Sequence, residues 1–123
     1  MKVEPAVVVY EVGPRDGLQN EPEAIATATK IELVERLART GLCRLEITSF
    51  VSPQWIPQLA DADEVAGRVA RYDGVRYSAL VPNLKGYQRF RAARLPVAAL
   101  FVSASETHNR KNVNCGIAES HER

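Results

Sequence analysis

The chain has 123 residues, of which 46% are hydrophobic and 25% are charged, and its formal net charge is +1. This composition is ordinary for one small globular domain, and the balanced charge argues against a nucleic-acid-binding surface. No apolar run is long enough to span a membrane or to serve as a signal peptide. We therefore expect a cytoplasmic protein whose two cysteines, Cys43 and Cys115, stay reduced.

The first half of the chain predicts a strand, a helix and a second strand. Residues 6–12 are apolar and β-branched, which is typical of a strand buried on both faces, and a Gly-Pro pair ends the run. Residues 25–40 carry apolar side chains at helical spacing and are followed by a glycine. Residues 43–50 alternate apolar and polar side chains, which predicts a strand.

The second half continues the alternation. Residues 61–72 predict a helix with an aspartate at its start and a buried stripe of Val65, Val69 and Tyr72. The segments that follow predict a strand over 75–81, a helix over 84–94, a strand over 96–103, a polar loop over 104–115 and a last helix from near Gly116.

Strand and helix thus alternate four times in units of about thirty residues, which indicates βαβ units and a parallel sheet. A doubly wound, flavodoxin-like sheet and part of a (β/α)8 barrel both fit this pattern. A full barrel has about 250 residues, and this chain ends inside its fourth unit. We therefore predict the N-terminal half of a (β/α)8 barrel, about four βα units in a single domain over residues 1–123, incomplete at the C-terminus.

Polar residues cluster where the predicted strands end, which is where parallel α/β folds gather their chemistry. The first strand end carries Glu11, Arg15, Asp16 and Gln19; the second carries Glu46, Thr48 and Ser49; the fourth carries Ser103, Ser105 and Glu106. The carboxylate of Asp16 is a hard oxygen ligand of the kind that Mg²⁺ or Mn²⁺ prefers. Arg15 offers donors suited to a carboxylate or a developing enolate oxygen, and Glu46 is within reach to accept from it.

Structural explanations compete with these roles. Asp-Gly is common in turns, so Arg15 and Asp16 fit a solvated turn with a surface ion pair equally well. By pattern alone, Glu46 is better explained as an exposed strand residue. His108 and His121 have no partner at metal-binding spacing and are expected to be solvated or capping residues.

Four segments are recognisable together: EVGPRDGLQNE, EITSFVSPQWIPQLAD, VPNLKG and SASETHNRKNVNC. They resemble the N-terminal half of the 3-hydroxy-3-methylglutaryl-CoA lyases, a family of the metal-dependent lyase and Claisen-condensation superfamily with a (β/α)8 barrel. The likeness runs from about residue 8 to the end of the chain. A Gly-Pro before the Arg-Asp-Gly, together with SFVSP, favours the lyase branch over relatives that make isopropylmalate or homocitrate.

This resemblance implies a carbon–carbon lyase that cleaves 3-hydroxy-3-methylglutaryl-CoA to acetyl-CoA and acetoacetate, a reaction of leucine degradation and ketone-body metabolism. It implies that Asp16 binds a divalent cation, Mg²⁺ or Mn²⁺. It implies that Arg15 contacts the substrate and stabilises the enolate of acetyl-CoA, with Glu46 as a catalytic residue beside it. Gln19 and Ser49 fall at positions that line the substrate site.

The chain also departs from the family. The family's His-x-His pair, a later asparagine and a catalytic cysteine in a glycine-rich loop are absent from this sequence, and Cys115 is not that cysteine. We therefore expect a catalytically incomplete fragment that binds an acyl-CoA, forms a homo-oligomer and has no nucleic-acid or membrane partner. A non-catalytic half-barrel binding or assembly module, or a lyase for a longer 3-hydroxyacyl-CoA, remain alternatives.

Overall fold

A computed structural model of the chain describes residues 7–123. These residues form the helices α1 (Thr27–Ala38), α2 (Ala62–Arg68), α3 (Leu84–Ala92), α4 (Glu106–Val113) and α5 (Ile117–Glu122). They also form the strands β1 (Arg44–Ser49), β2 (Arg76–Leu80) and β3 (Val97–Ala99). A π-helical turn spans Gly13–Gly17, and a short 3₁₀ helix spans Pro57–Leu59. The fold is therefore of the α/β class.

The strands form a parallel sheet in the order β1-β2-β3. Leu45 of β1 pairs with Tyr77 of β2, and Ser78 of β2 pairs with Val97 of β3. On the other side of β1, an isolated bridge joins Glu11 to Leu45. Because all of these segments run in one direction, their carboxyl ends meet at the same edge of the sheet, as expected from the sequence.

The hydrophobic core lies between this sheet and the helices α1, α2 and α3. Its members include Val34, Leu45, Val65, Tyr77 and Phe90, none of which is more than 8% exposed. Each helix contributes one apolar stripe, which is why the helical periodicity of the sequence located these segments. Within residues 7–123, no helix is both long and apolar enough to cross a bilayer.

Most of the predicted elements are confirmed. The predicted helices over 25–40 and 84–94 correspond to α1 and α3, and the predicted last helix corresponds to α5. The predicted strands over 43–50 and 75–81 correspond to β1 and β2. These elements were predictable because their apolar patterns are local and their flanking turns are short.

The first predicted strand is wrong for most of its length. Val7, Val8 and Val9 are exposed and lack regular strand pairing, and only Glu11 forms a bridge to β1. Residue 6 lies outside the described residues. An apolar β-branched run forms a strand only where its backbone finds a hydrogen-bonding partner. Among the described residues, the edge of β1 that faces away from β2 is bridged only by Glu11.

The fourth predicted strand, over 96–103, is much shorter than expected. β3 ends at Ala99, and Leu100 and Phe101 are exposed. The reason lies in the neighbouring strand, because Ala99 pairs with Leu80, the last residue of β2. Beyond that pair, the described part of the sheet offers no ladder for the chain to join.

The polar segment predicted as a loop contains the helix α4. The side chain of Ser105 caps its start by accepting a hydrogen bond from the His108 backbone N–H at 3.3 Å. Asn114 ends the helix in the left-handed conformation with φ of 56°. Glu106 in the first turn and Arg110 in the last turn also match the helix dipole. Capping residues rather than an apolar stripe define this helix.

The burial of two elements differs from what their sequence patterns suggest. β1 is buried on both faces, since Glu46 and Thr48 are at most 2% exposed. α2 ends at Arg68, so Tyr72 lies beyond it and is 37% exposed instead of completing a buried stripe. The polar face of β1 is covered in part by Tyr10 and Arg15, whose side chains contact the Glu46 carboxylate.

Asp61 precedes α2 as expected, but its side chain does not cap the helix. Its carboxylate instead accepts hydrogen bonds from Lys30 Nζ and Thr27 Oγ1, both at 2.7 Å. Lys30 is 5% exposed and also donates to the Gln58 carbonyl. This buried ion pair ties the start of α1 to the loop before α2, a connection that no local pattern predicts.

Candidate active site

A cleft of about 670 Å³ opens at the carboxyl ends of the strands. Four of the five predicted site residues line it: Arg15, Gln19, Glu46 and Ser49. The fifth, Asp16, is not among the residues that line this cleft. The structure therefore brings together residues from the first two predicted strand ends, as the parallel topology requires.

The π-helical turn Gly13–Gly17 delivers Arg15 to this cleft. Its backbone closes through a hydrogen bond of 2.7 Å from the Asp16 N–H to the Val12 carbonyl. The Gly13 N–H donates to Glu11 Oε1 at 2.6 Å, and a Cβ at Gly13 would lie only 2.8 Å from that oxygen. A methyl group at this position would therefore move the flexible end of the Glu11 side chain and disturb this contact.

Arg15 and Glu46 form the central ion pair of the cleft. Arg15 Nε donates to Glu46 Oε1 at 2.5 Å, and the two side chains are 18% and 3% exposed. Burying a carboxylate is costly unless it is paired and hydrogen-bonded. The explanation of Glu46 as an exposed strand residue is therefore wrong, and its predicted contact with Arg15 is confirmed.

Tyr10 is a member of this group that the sequence analysis missed. Its hydroxyl donates to Glu46 Oε2 at 2.8 Å and lies 2.5 Å from Ser78 Oγ. Burial is the largest effect on the phenol and raises the pKa of Tyr10 above 10.0, while the Ser78 hydrogen bond lowers it and the neighbouring Glu46 raises it. The sequence signal for this role was a tyrosine, whose ring is apolar and whose hydroxyl is polar, at the end of an aliphatic run.

Asp16 turns away from the buried pair but still touches its neighbour. Its side chain is 56% exposed, and Asp16 Oδ1 accepts from Arg15 Nη1 at 3.0 Å. The guanidinium of Arg15 reaches both carboxylates, through Nε to Glu46 and through Nη1 to Asp16. Arg15 thus bridges a buried acid and an exposed one.

Ser49 and Gln19 are the uncharged members of the cleft. Ser49 is fully buried, and its Oγ has no hydrogen-bond partner among the described residues. A buried hydroxyl without a partner is costly, so this atom is an unsatisfied polar group at the wall of the cleft. Gln19 is half-buried at the end of the turn that carries Arg15.

The polar residues after the fourth predicted strand serve the chain itself. Ser105 caps α4, and the Glu106 carboxylate accepts from the Ile117 N–H at 3.3 Å, which stabilises the start of α5. His108 is exposed, and its Nδ1 lies 2.6 Å from Ser103 Oγ. These residues do not join the cleft that contains Arg15.

The described residues do not form a complete metal site. Within residues 7–123, no group of three or more His, Cys, Asp or Glu side chains is arranged to hold a metal ion. Both oxygens of Glu46 already accept hydrogen bonds, whereas Asp16 Oδ2 has no partner among these residues. Beside the cleft, Asp16 therefore offers an exposed carboxylate, which fits a single position in the oxygen-rich shell of Mg²⁺ or Mn²⁺.

Comparison with known proteins identifies relatives over nearly the whole chain. The family profile described as HMGL-like matches residues 6–123. Hydroxymethylglutaryl-CoA lyase YngG of Bacillus subtilis is 55% identical over 114 residues, which are 93% of this chain and 38% of that protein. The cytoplasmic 3-hydroxy-3-methylglutaryl-CoA lyase of Rattus norvegicus is 53% identical over 93% of this chain and 33% of its own length.

Comparison with solved structures finds similarity to the same class of proteins. The crystal structure of the Bacillus subtilis HMG-CoA lyase matches with a TM-score of 0.92 at 54% identity, over 94% of this chain and 39% of that one. An Acinetobacter baumannii HMG-CoA lyase in complex with coenzyme A and 3-methylmalate matches with a TM-score of 0.91 at 44% identity, over 94% and 38%. The chain thus spans less than two fifths of these relatives. It belongs to the HMGL-like family.

Proposed function

We propose that this chain carries part of the active site of a 3-hydroxy-3-methylglutaryl-CoA lyase, which cleaves its substrate to acetyl-CoA and acetoacetate. The observation that carries the proposal is the Arg15 guanidinium at a cleft wall, held by the buried Glu46. Membership of the HMGL-like family supports this assignment. The acyl-CoA is the ligand that the cleft would bind.

The proposed fold of the whole domain is a (β/α)8 barrel of which this chain forms the N-terminal half. Its strands run parallel in sequential order, and helices connect them, which is the repeating unit of such a barrel. The lyase structures that match the chain at TM-scores near 0.9 support the same architecture. The cleft lies at the carboxyl end of the strands, where barrel enzymes carry their active sites.

The reaction is a retro-Claisen cleavage. Loss of the proton from the tertiary hydroxyl forms the ketone of acetoacetate as the neighbouring carbon–carbon bond breaks. The electron pair of that bond moves into the thioester, which becomes the enolate of acetyl-CoA and then takes up a proton on carbon. Negative charge therefore develops on the thioester oxygen, and a fixed guanidinium near it lowers the barrier.

Arg15 has the geometry for this role. Its Nε is fixed by Glu46 and its Nη1 by Asp16, while Nη2 has no hydrogen bond to any residue in the range 7–123. Nη2 is therefore the donor available to the developing oxyanion. A guanidinium already held in place needs no reorganisation as the charge forms.

Ser49 and Gln19 would bind and orient the acyl group. Both line the cleft beside Arg15, and the Ser49 hydroxyl has no partner of its own in the described structure. Holding the reacting bond in one orientation contributes to catalysis independently of charge stabilisation.

Asp16 would supply one carboxylate oxygen to a divalent cation, Mg²⁺ or Mn²⁺. Such a cation polarises the hydroxyl and carboxylate oxygens of a substrate and makes the hydroxyl easier to deprotonate. Its other ligands would come from residues outside this chain, since residues 7–123 offer no cluster of ligands. The exposure of Asp16 at the turn is compatible with this shared site.

A hybrid enzyme tests the proposed function directly. In the hybrid, this chain replaces the matching segment of the Bacillus subtilis relative, which is 55% identical to it. We expect the hybrid to release acetoacetate from 3-hydroxy-3-methylglutaryl-CoA with added Mg²⁺ or Mn²⁺. A folded hybrid that releases no acetoacetate contradicts the proposal. If the hybrid cleaves a longer 3-hydroxyacyl-CoA faster than 3-hydroxy-3-methylglutaryl-CoA, the longer compound is the substrate instead.

A further inference from the structure

The buried carboxylate of Glu46 is held from two sides. Arg15 Nε donates to its Oε1, and the hydroxyl of Tyr10 donates to its Oε2. The terminal torsion of a glutamate is broad, so a single donor would leave the carboxylate free to rotate. With both oxygens engaged, the direction in which Oε1 accepts from Arg15 is fixed.

Tyr10 is itself held in place across the sheet. Its hydroxyl lies 2.5 Å from Ser78 Oγ on β2, and because the Tyr10 proton goes to Glu46 on β1, Ser78 is the donor in this contact. The chain of contacts therefore runs from β2, past β1, to the segment before the Arg15 turn. Burial raises the pKa of Tyr10 above 10.0, so the phenol keeps its proton and remains a donor at neutral pH.

We propose that Tyr10 is a positioning residue that acts on Arg15 through the Glu46 carboxylate. Its hydroxyl orients Glu46, and Glu46 in turn holds the guanidinium at the cleft in one orientation. The catalytic consequence rests on the proposed function, whereas the orientation of Arg15 is a property of this chain alone. Tyr10 also lines the cleft, but in this assignment its hydroxyl serves Glu46 and not the reacting atoms.

The first test measures the hydrogen exchange of the Arg15 Nε–H by NMR in the full 123-residue chain. Tyr10→Phe removes only the hydroxyl, and we expect the exchange to become about tenfold faster, the effect of losing one charge-assisted hydrogen bond. Tyr87→Phe is the matched control, because Tyr87 is 43% exposed and Tyr10 is 42% exposed. Exchange within about twofold of the control overturns the proposal.

A double-variant cycle separates positioning through Glu46 from a general structural tie. In a Glu46→Ala chain, Arg15 has already lost its acceptor, so adding Tyr10→Phe should not accelerate the exchange further. If Tyr10→Phe accelerates the exchange equally in the native chain and in the Glu46→Ala chain, the hydroxyl acts by another route, and the proposal is overturned.

The hybrid enzyme provides the catalytic readout. Tyr10→Phe should lower kcat by about tenfold and leave KM within about twofold, because a displaced Arg15 loses contact with charge that forms only in the transition state. An active hybrid whose kcat does not change overturns the role of Tyr10 in the reaction. A hybrid that is inactive with the unmodified chain contradicts the proposed function instead, and the exchange measurements still decide the positioning of Arg15.

Discussion

Replacement of Glu46 by glutamine tests whether the buried charge, rather than the shape of the side chain, holds Arg15. The amide is nearly isosteric, so one of its atoms can still face Arg15 Nε and the other can face Tyr10. The hydrogen bond to Arg15 then loses the charge of its acceptor but keeps that of the guanidinium, so we expect it to weaken by about 1 kcal/mol. A loss of about 1 kcal/mol corresponds to about a fivefold lower kcat if Arg15 stabilises the transition state.

The assay compares kcat for Glu46→Gln in the hybrid enzyme with that of a matched control. Glu32→Gln removes the same charge from another arginine–glutamate pair, in which Arg36 Nη2 and Glu32 Oε1 are 2.6 Å apart. That pair is 74% and 60% exposed, and exposed pairs of this kind contribute little. Equal kcat values for the two variants would refute the argument from burial.

Three other experiments, two on variants and one on the unmodified chain, have defined outcomes. Asp16→Asn in the hybrid should raise the metal concentration needed for half-maximal activity, because an amide lacks the charge of the carboxylate, and an unchanged metal titration would leave Asp16 as a turn residue. Gly86→Ala should destabilise the chain by about 1–3 kcal/mol, measured by urea unfolding against Gly67→Ala in α2, since a Cβ at Gly86 meets the Phe50 carbonyl oxygen at 2.7 Å and one at Gly67 meets no atom within 4 Å. Equal unfolding midpoints for the two variants would contradict this argument. The 123-residue chain alone should show no cleavage above the buffer blank, and light scattering should give a mass above 13.6 kDa, because the apolar segments 7–9 and 100–102 are exposed. Turnover or a clean monomer would contradict the respective part of this last prediction.

The sequence predicted those parts of the fold whose signals are local. α1 and α3 have apolar stripes at helical spacing, and β1 and β2 are short apolar runs between turns. The segments 7–10 and 100–102 have equally good strand composition, but strand pairing depends on a distant partner, and β2 already ends at Leu80. α4 was missed for the opposite reason, because Ser105 and Asn114 define it while its interior is polar.

The candidate site was predictable where topology brings strand ends together. Arg15 and Glu46 are 31 positions apart, yet parallel neighbouring segments place them at one edge of the sheet, and their contact was expected. The partners of Tyr10 are 36 and 68 positions away, and the reach of its hydroxyl depends on the exact register of three segments. The same limit applies to the buried pair of Lys30 and Asp61, which joins separate elements through side chains alone.

The central claim is that Arg15 stabilises negative charge as it develops on the thioester oxygen. The most direct measurement is kcat of the hybrid enzyme with Arg15→Gln at saturating Mg²⁺ or Mn²⁺, beside Arg36→Gln, whose side chain is 74% exposed on α1. The account predicts that Arg15→Gln lowers kcat by about 10²–10³, the usual loss for one donor to an oxyanion, while Arg36→Gln leaves it unchanged. A rate for Arg15→Gln within about threefold of the unmodified hybrid would contradict the account.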